Sequence, residues 1–199
     1  MKVPFIDILR YEKNFFETVS QKAAELIKNG HFVGGPVVGQ FETDLKNYTH
    51  TQFALGCANG TDAIQVALRA AGVAKDDKVL LPDMTFWATF ESVVNVGAVP
   101  YTIDVSRETL HLTVASVKEG IEKFKPKAFL LVHLYGWACP ETLEIRKLCK
   151  DSGVLLIEDC AQAIGTKING ESLLTGAHVA TTSFYPAKVL GASGDAGGI

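Results

Sequence analysis

The sequence predicts an α/β fold in three α/β/α layers, a mostly parallel sheet with covering helices. Three observations carry this reading. From residue 53 onward, β-prone runs alternate with helix-patterned segments, as repeated βα units require. Gly153-Val154-Leu155-Leu156-Ile157 is unbroken apolar, the pattern of a parallel strand covered on both faces. That run ends in Glu158-Asp159, and carboxylates at the carboxyl end of such a strand stand where open α/β sheets bind ligands.

The elements follow in order. Residues 15–28 read as a helix whose Phe15, Phe16, Val19, Ala23, Leu26 and Ile27 form one stripe for burial. Residues 30–36 are a loop, and 37–49 a second helix carrying Phe41, Leu45 and Tyr48. Residues 53–57 read as a short buried strand and 63–71 as an apolar helix. Strands are predicted at 79–82, 99–104, 128–134 and 153–157, with helices at 113–124 and 143–150 between them. A short β-prone run then leads through Ser183 to Lys188 and a glycine-rich turn. No internal repeat, low-complexity tract or interdomain linker interrupts the series.

Composition narrows the class. With 199 residues the chain can bury one sizeable core, and 47% hydrophobic against 21% charged residues excludes global disorder. A net charge of −3 without a basic stripe argues against nucleic acid as a partner. No apolar run approaches a membrane span, and Asp7, Arg10, Glu12 and Lys13 interrupt any signal-peptide pattern at the start. Cys57, Cys139, Cys149 and Cys160 form no C-x-x-C pair, so buried thiols in a reduced, cytoplasmic protein are expected.

The chemistry gathers around Lys188. Its flanks, Ser183-Phe184-Tyr185-Pro186-Ala187 and Gly191-Ala192-Ser193-Gly194, are poor in charge, and the glycines allow a backbone or a bound ring to come close. That setting suits a lysine held as an amine and ready to form a Schiff base. Asn59-Gly60-Thr61-Asp62 opens a helix after a strand, where free N–H groups and the helix dipole favour a phosphate. Asn59 or Thr61 as a plain N-cap explains the same residues. Phe86 or Trp87 could lie flat on an aromatic cofactor, although adjacent aromatics also serve as core. Asp159 could hold a pyridine nitrogen protonated, or cap a helix. His133 and Tyr135 follow a strand and suit either a sugar pocket or a structural turn. His178 lacks a second ligand at metal spacing. Gly191-x-x-Gly194-x-x-Gly197 is not a dinucleotide fingerprint, which disfavours a nicotinamide-dependent dehydrogenase.

Five collinear segments carry a resemblance. They are Asn59-Gly60-Thr61-Asp62-Ala63, Pro82-Asp83-Met84-Thr85-Phe86-Trp87-Ala88-Thr89, Val132-His133-Leu134-Tyr135-Gly136, Ile157-Glu158-Asp159-Cys160-Ala161-Gln162, and Ser183 through Asp195. In these the chain resembles the DegT/DnrJ/EryC1/StrS nucleotide-sugar aminotransferases, fold-type I enzymes that use pyridoxal 5′-phosphate (PLP). The resemblance implies that Lys188 is the Schiff-base lysine and that Asp159 pairs with the pyridine nitrogen. It implies Gln162 near the ring and its phenolic oxygen, Phe86 stacked on the ring, and Gly60, Thr61 and Ser183 on the phosphate. Asp62 joins that cofactor-binding set. The implied reaction is a ping-pong transfer from an amino acid donor, usually glutamate, to the ketone of a nucleotide-diphosphate sugar, in a homodimer.

The same resemblance implies that residues 1–199 are an incomplete PLP-binding large domain, with the small C-terminal domain absent. Local wording is closest to enzymes acting on 3-keto acetamido sugars for surface polysaccharides such as lipopolysaccharide. PLP-dependent sugar dehydratases of the family replace the lysine with histidine, so Lys188 speaks against that chemistry. A truncated, inactive paralogue is the alternative of a different class. One departure is Gly194-Asp195-Ala196-Gly197-Gly198, where the family reads Gly-Asp-Gly-Gly-Ala. The swap is tolerable unless Ala196 needs a positive φ.

Overall fold

Alternation of apolar side chains along the central strands decides which helices each face of the sheet carries. The computed structural model describes residues 3–9, 11–12 and 14–199. In β2 (Lys78–Pro82), Val79 and Leu81 point to one side and Leu80 to the other. The pattern repeats in β4 (Ala128–Val132), where Leu130 opposes Phe129 and Leu131, and in β5 (Leu155–Asp159), where Ile157 opposes Leu156. On the first side these residues pack with Ile64 and Leu68 of α3 (Gly60–Ala70) and Val93 of α4 (Trp87–Asn95). On the second they pack with Val117 of α5 (Val114–Phe124) and Ile145 of α6 (Thr142–Ser152). The three-layer α/β/α fold follows from these two cores.

The main sheet has seven strands in the order β1-β9-β8-β5-β4-β2-β3, where β1 is Gly56–Cys57 and β9 is Gly197–Gly198. Here β3 is Val99–Ile103, β8 is Ala180–Ser183, and β3, β2, β4, β5 and β8 run parallel. Because β2 has β3 on one side and β4 on the other, the chain reverses its direction of winding there. The loops at the carboxyl ends of the strands therefore open a crevice at this switch point.

Several expectations need correction. Residues 53–57 are not a buried strand: only β1 (Gly56–Cys57) is extended, it lies at the sheet edge, and Phe53 and Leu55 are exposed. The glycine-rich stretch ends in a further strand, β9 (Gly197–Gly198), which lies between β1 and β8 and runs antiparallel to both. No side chain could stand at Gly197, since a Cβ would lie 2.3 Å from the Asn59 carbonyl oxygen. The glycine admits the backbone of the turn at Asn59, not a bound ring. Ala196 is not among the residues with positive φ, so the departure there carries no backbone strain.

The stripe predicted on α1 (Phe15–Lys28) is only half covered. No residue of that helix is buried, and Ile27 is 64% exposed. Helix α2 (Pro36–Thr49) does anchor, through Leu45 against Phe184 and Ile164. Two short strands, β6 (Lys167–Ile168) and β7 (Glu171–Ser172), form a separate hairpin that the pattern did not signal. No helix among the described residues is long and apolar enough to cross a membrane.

Candidate active site

A cavity of about 1040 Å³ opens at the switch point, and all eight candidate site residues line it. They arrive on several pieces of the fold. Gly60, Thr61 and Asp62 form the first turn of α3, Phe86 precedes α4, and Asp159 ends β5. Gln162 lies in the turn after β5, Ser183 ends β8, and Lys188 stands five positions further on.

Asn59 is the N-cap of α3: its Oδ1 accepts the Asp62 N–H at 2.8 Å. The capping explanation therefore holds for Asn59, yet it uses only one of the helix's free donors. Among the described residues, the N–H groups of Gly60 and Thr61 have no partner within the chain. The Asp62 carboxylate accepts from Asn59 Nδ2 at 3.2 Å and Gln65 Nε2 at 3.3 Å, which braces the turn. Helix α3 touches β8 so closely that a Cβ on Gly60 would lie 2.7 Å from the Ser183 Cβ. Gly60→Ala is expected to cost about 1–3 kcal/mol of stability through this overlap, read as a lower denaturant midpoint.

Phe86 faces the cavity with the Lys188 Nζ 5.7 Å from its ring centroid, whereas Trp87 turns away and stacks on Phe90 at 5.1 Å. Of the two aromatics, only Phe86 lines the cavity. Asp159 is buried, and burial pushes its pKa above the ordinary value despite hydrogen bonds from Ala161 N and Thr89 and the nearby Lys188. Gln162 Oε1 accepts the Tyr135 N–H at 2.7 Å. Tyr135 sits at φ 59°, left-handed backbone that a tyrosine seldom adopts, held by that bond and by Thr166 Oγ1 donating to the Gly136 carbonyl at 2.7 Å.

A family model for the DegT/DnrJ/EryC1/StrS aminotransferases matches residues 14–199. The chain belongs to this family. It is 34% identical over 195 residues to the UDP-N-acetyl-3-dehydro-alpha-D-glucosamine 3-aminotransferase of Acidithiobacillus ferrooxidans, covering 98% of this chain and 52% of that protein. It is similar to the crystal structure of S. venezuelae DesV in complex with a ketimine intermediate, with TM-score 0.93, 32% identity, and coverage of 99% of this chain and 53% of DesV. The crystal structure of ntda from Bacillus subtilis with bound cofactor PMP gives TM-score 0.89, 33% identity, and coverage of 99% and 44%. The chain spans about half the length of these relatives.

In this DegT/DnrJ/EryC1/StrS member, sequence reasoning missed two groups next to the site. The Thr89 hydroxyl lies 2.9 Å from Asp159 Oδ2. Glu158 takes two hydrogen bonds from Arg146, at 2.8 and 2.9 Å, and lies 3.0 Å from His133 Nε2. His133 Nδ1 accepts the Cys139 N–H at 3.1 Å, so the ring proton sits on Nε2 and points at Glu158. His133 borders the cavity but its polar atoms are spent on structure, which favours the turn over the sugar pocket. His178 lies exposed beside a second, smaller cavity.

Proposed function

We propose that residues 1–199 form the PLP-binding large domain of an aminotransferase that moves an amino group from an amino acid, glutamate foremost, to the ketone of a nucleotide-linked sugar. The observation that carries it is the convergence of Lys188, Phe86, Asp159 and the start of α3 on one cavity. The residues fit the cofactor. The turn at Gly60 and Thr61 has free N–H donors, and Gly60 leaves room that a Cβ would close against Ser183. A buried carboxylate that, among the described residues, takes hydrogen bonds from Thr89 and the Ala161 N–H and none from a cation suits a ring N–H.

When bound, PLP supplies an aldehyde that exchanges amino groups and a protonated ring that accepts electron density. Thr61, Gly60 and Ser183 would hold the phosphate, while Asp62 keeps their turn in shape. Phe86 would cover one face of the ring, Asp159 would keep its nitrogen protonated, and Gln162 would stand by the phenolic oxygen. Lys188, the one lysine or arginine among the described residues lining the cavity, would anchor the cofactor and move the proton at the donor's α-carbon.

This reading extends to a homodimer, a cytoplasmic location and a role in surface-polysaccharide synthesis, lipopolysaccharide included. Its substrate class is supported by the A. ferrooxidans relative, named for a UDP-linked dehydro sugar. The cytoplasmic assignment is supported by four free cysteines, three of them buried; burial pushes Cys149 up to about 12 and leaves it unreactive.

The test is to incubate the chain with PLP, reduce with borohydride and map peptides by mass. A pyridoxyl label on Lys188 supports the reading, and a label elsewhere or none overturns it. Asp159→Asn should separate function from folding. A neutral amide cannot hold a pyridinium, so transamination falls on the order of 10²–10³-fold. Stability of the cofactor-free chain moves the other way. The fold raises the Asp159 pKa through burial, so the stability linked to it is complete below the unfolded carboxyl's range and lost as pH rises through the folded value. At pH 7 the amide avoids that loss, and the Asp159→Asn chain is expected to melt higher than the wild type.

A further inference from the structure

Two buried hydroxyls on the helices of this chain, those of Thr49 and Ser92, bond back to their own helix. Thr49 donates to the Leu45 carbonyl at 2.7 Å and Ser92 to the Ala88 carbonyl at 2.6 Å, both four residues earlier. Thr89 does not. Fully buried in the first turn of α4, it reaches a carboxylate seventy residues away, Asp159 Oδ2 at 2.9 Å. Its oxygen also lies 2.8 Å from Thr85 Oγ1, on the cavity wall.

An ionised carboxylate only accepts, so the Thr89 proton points at Asp159 and Thr89 in turn accepts from Thr85. The other oxygen, Oδ1, takes the Ala161 N–H at 3.1 Å. With one donor on each oxygen, the carboxylate cannot rotate without breaking a bond.

We propose that Thr89 is a positioning residue for the cofactor site: by donating to Asp159 Oδ2, with its own hydroxyl set by Thr85, it fixes the carboxylate's orientation and keeps it ionised. The inference rests on the reading that Asp159 faces the ring nitrogen of bound PLP. The charged and titratable groups around Asp159 place the task on Thr89. Lys188 beyond β8 favours the ionised form, His133 beyond β4 directs its one ring proton at Glu158 instead, and burial opposes ionisation more strongly. Asp62 on α3 and Glu91 on α4 also border the cavity and add only negative charge. A hydrogen bond to the charged form is the contribution α4 makes toward keeping it.

The test compares wild type, Thr89→Val, which keeps the shape and loses the hydroxyl, and Thr89→Ser, which restores it. The Asp159 side-chain carboxyl is titrated by carbon-13 NMR in the cofactor-free 199-residue chain and identified by its loss in Asp159→Asn. The expected result is a titration displaced to higher pH in Thr89→Val and returned toward wild type in Thr89→Ser. The dissociation constant for PLP, followed by absorbance, is expected to weaken about tenfold in Thr89→Val and recover in Thr89→Ser.

A Thr89→Val carboxyl that titrates with wild type overturns the proposal, whether or not the chain binds PLP. Failure of the wild type to bind PLP strikes the cofactor reading instead and leaves the titration to decide Thr89. Should Thr89→Val not fold, Thr85→Val removes the preceding donor from a half-buried position. Its carboxyl must then show a smaller shift of the same sign, and no shift refutes the role.

Discussion

Lys188→Ala is expected to reduce amino transfer on the order of 10⁴-fold or more while leaving the fold intact. The large effect follows from the cavity wall, where no other lysine among the described residues can form the covalent link or carry the α-proton. The small effect on folding follows from the side chain's surroundings. Among the described residues its Nζ makes no hydrogen bond or salt bridge, and it stands 5.7 Å from the centroid of the Phe86 ring. The backbone N–H that donates to the Tyr185 carbonyl at 2.8 Å survives the substitution. Stability should therefore change by no more than about 0.5 kcal/mol. The check is a pair of measurements on one preparation: donor-dependent aminosugar formation and a thermal melt. Turnover above a hundredth of wild type would remove Lys188 from the mechanism. A collapsed melt would mean that the loop from Tyr185 to Leu190 depends on the side chain.

What could be read from the sequence was what lies close along the chain or repeats with a short period. The apolar runs of β2, β4 and β5 alternate or persist because both faces of the sheet are covered, so strand type and layer order were visible locally. The placement of Asp159 at a strand end followed from the same rule. Thr89 carries no such mark, since its hydroxyl acquires a role only when α4 lies against the end of β5, seventy residues away. Glu158 and Asp159 are adjacent and chemically alike, yet one faces Arg146 and His133 and the other the cavity; their separation is a matter of strand pleat. Strand β9 was missed because Gly197 and Gly198 have little strand propensity, and close packing against Asn59 requires them regardless. The reverse error occurred at residues 53–57, where β-prone side chains lie exposed at a sheet edge.

Glu158→Gln is expected to cost about 3–5 kcal/mol of folding stability, the usual cost of leaving a buried charge without its partner. Glu158 is fully buried between Arg146 on α6 and His133 after β4, and no buried polar side-chain atom among the described residues lacks a hydrogen bond. An amide at this position meets Arg146 with one oxygen and presents its NH₂ group either to the guanidinium or to the His133 Nε2–H, so at least one donor faces another donor. Arg146 also holds the Leu173 carbonyl at 2.7 Å, which spreads the damage to the segment before β8. Burial raises the Glu158 pKa, but the hydrogen bonds from His133 and Arg146 and the charge on Arg146 outweigh it and hold the carboxyl below its ordinary 4.5. A folded-state value below the unfolded one contributes stability that is complete above the unfolded pKa and lost as pH falls through the folded value. The gap between wild type and Glu158→Gln, measured by urea denaturation, should be full at pH 7 and narrow below about pH 4. Removing Arg146 as well should cost less than the sum of the single losses, because the orphaned cation goes with its partner. Additive losses, or a gap that ignores pH, would show that the three side chains stabilise the fold by packing and not as a charged network.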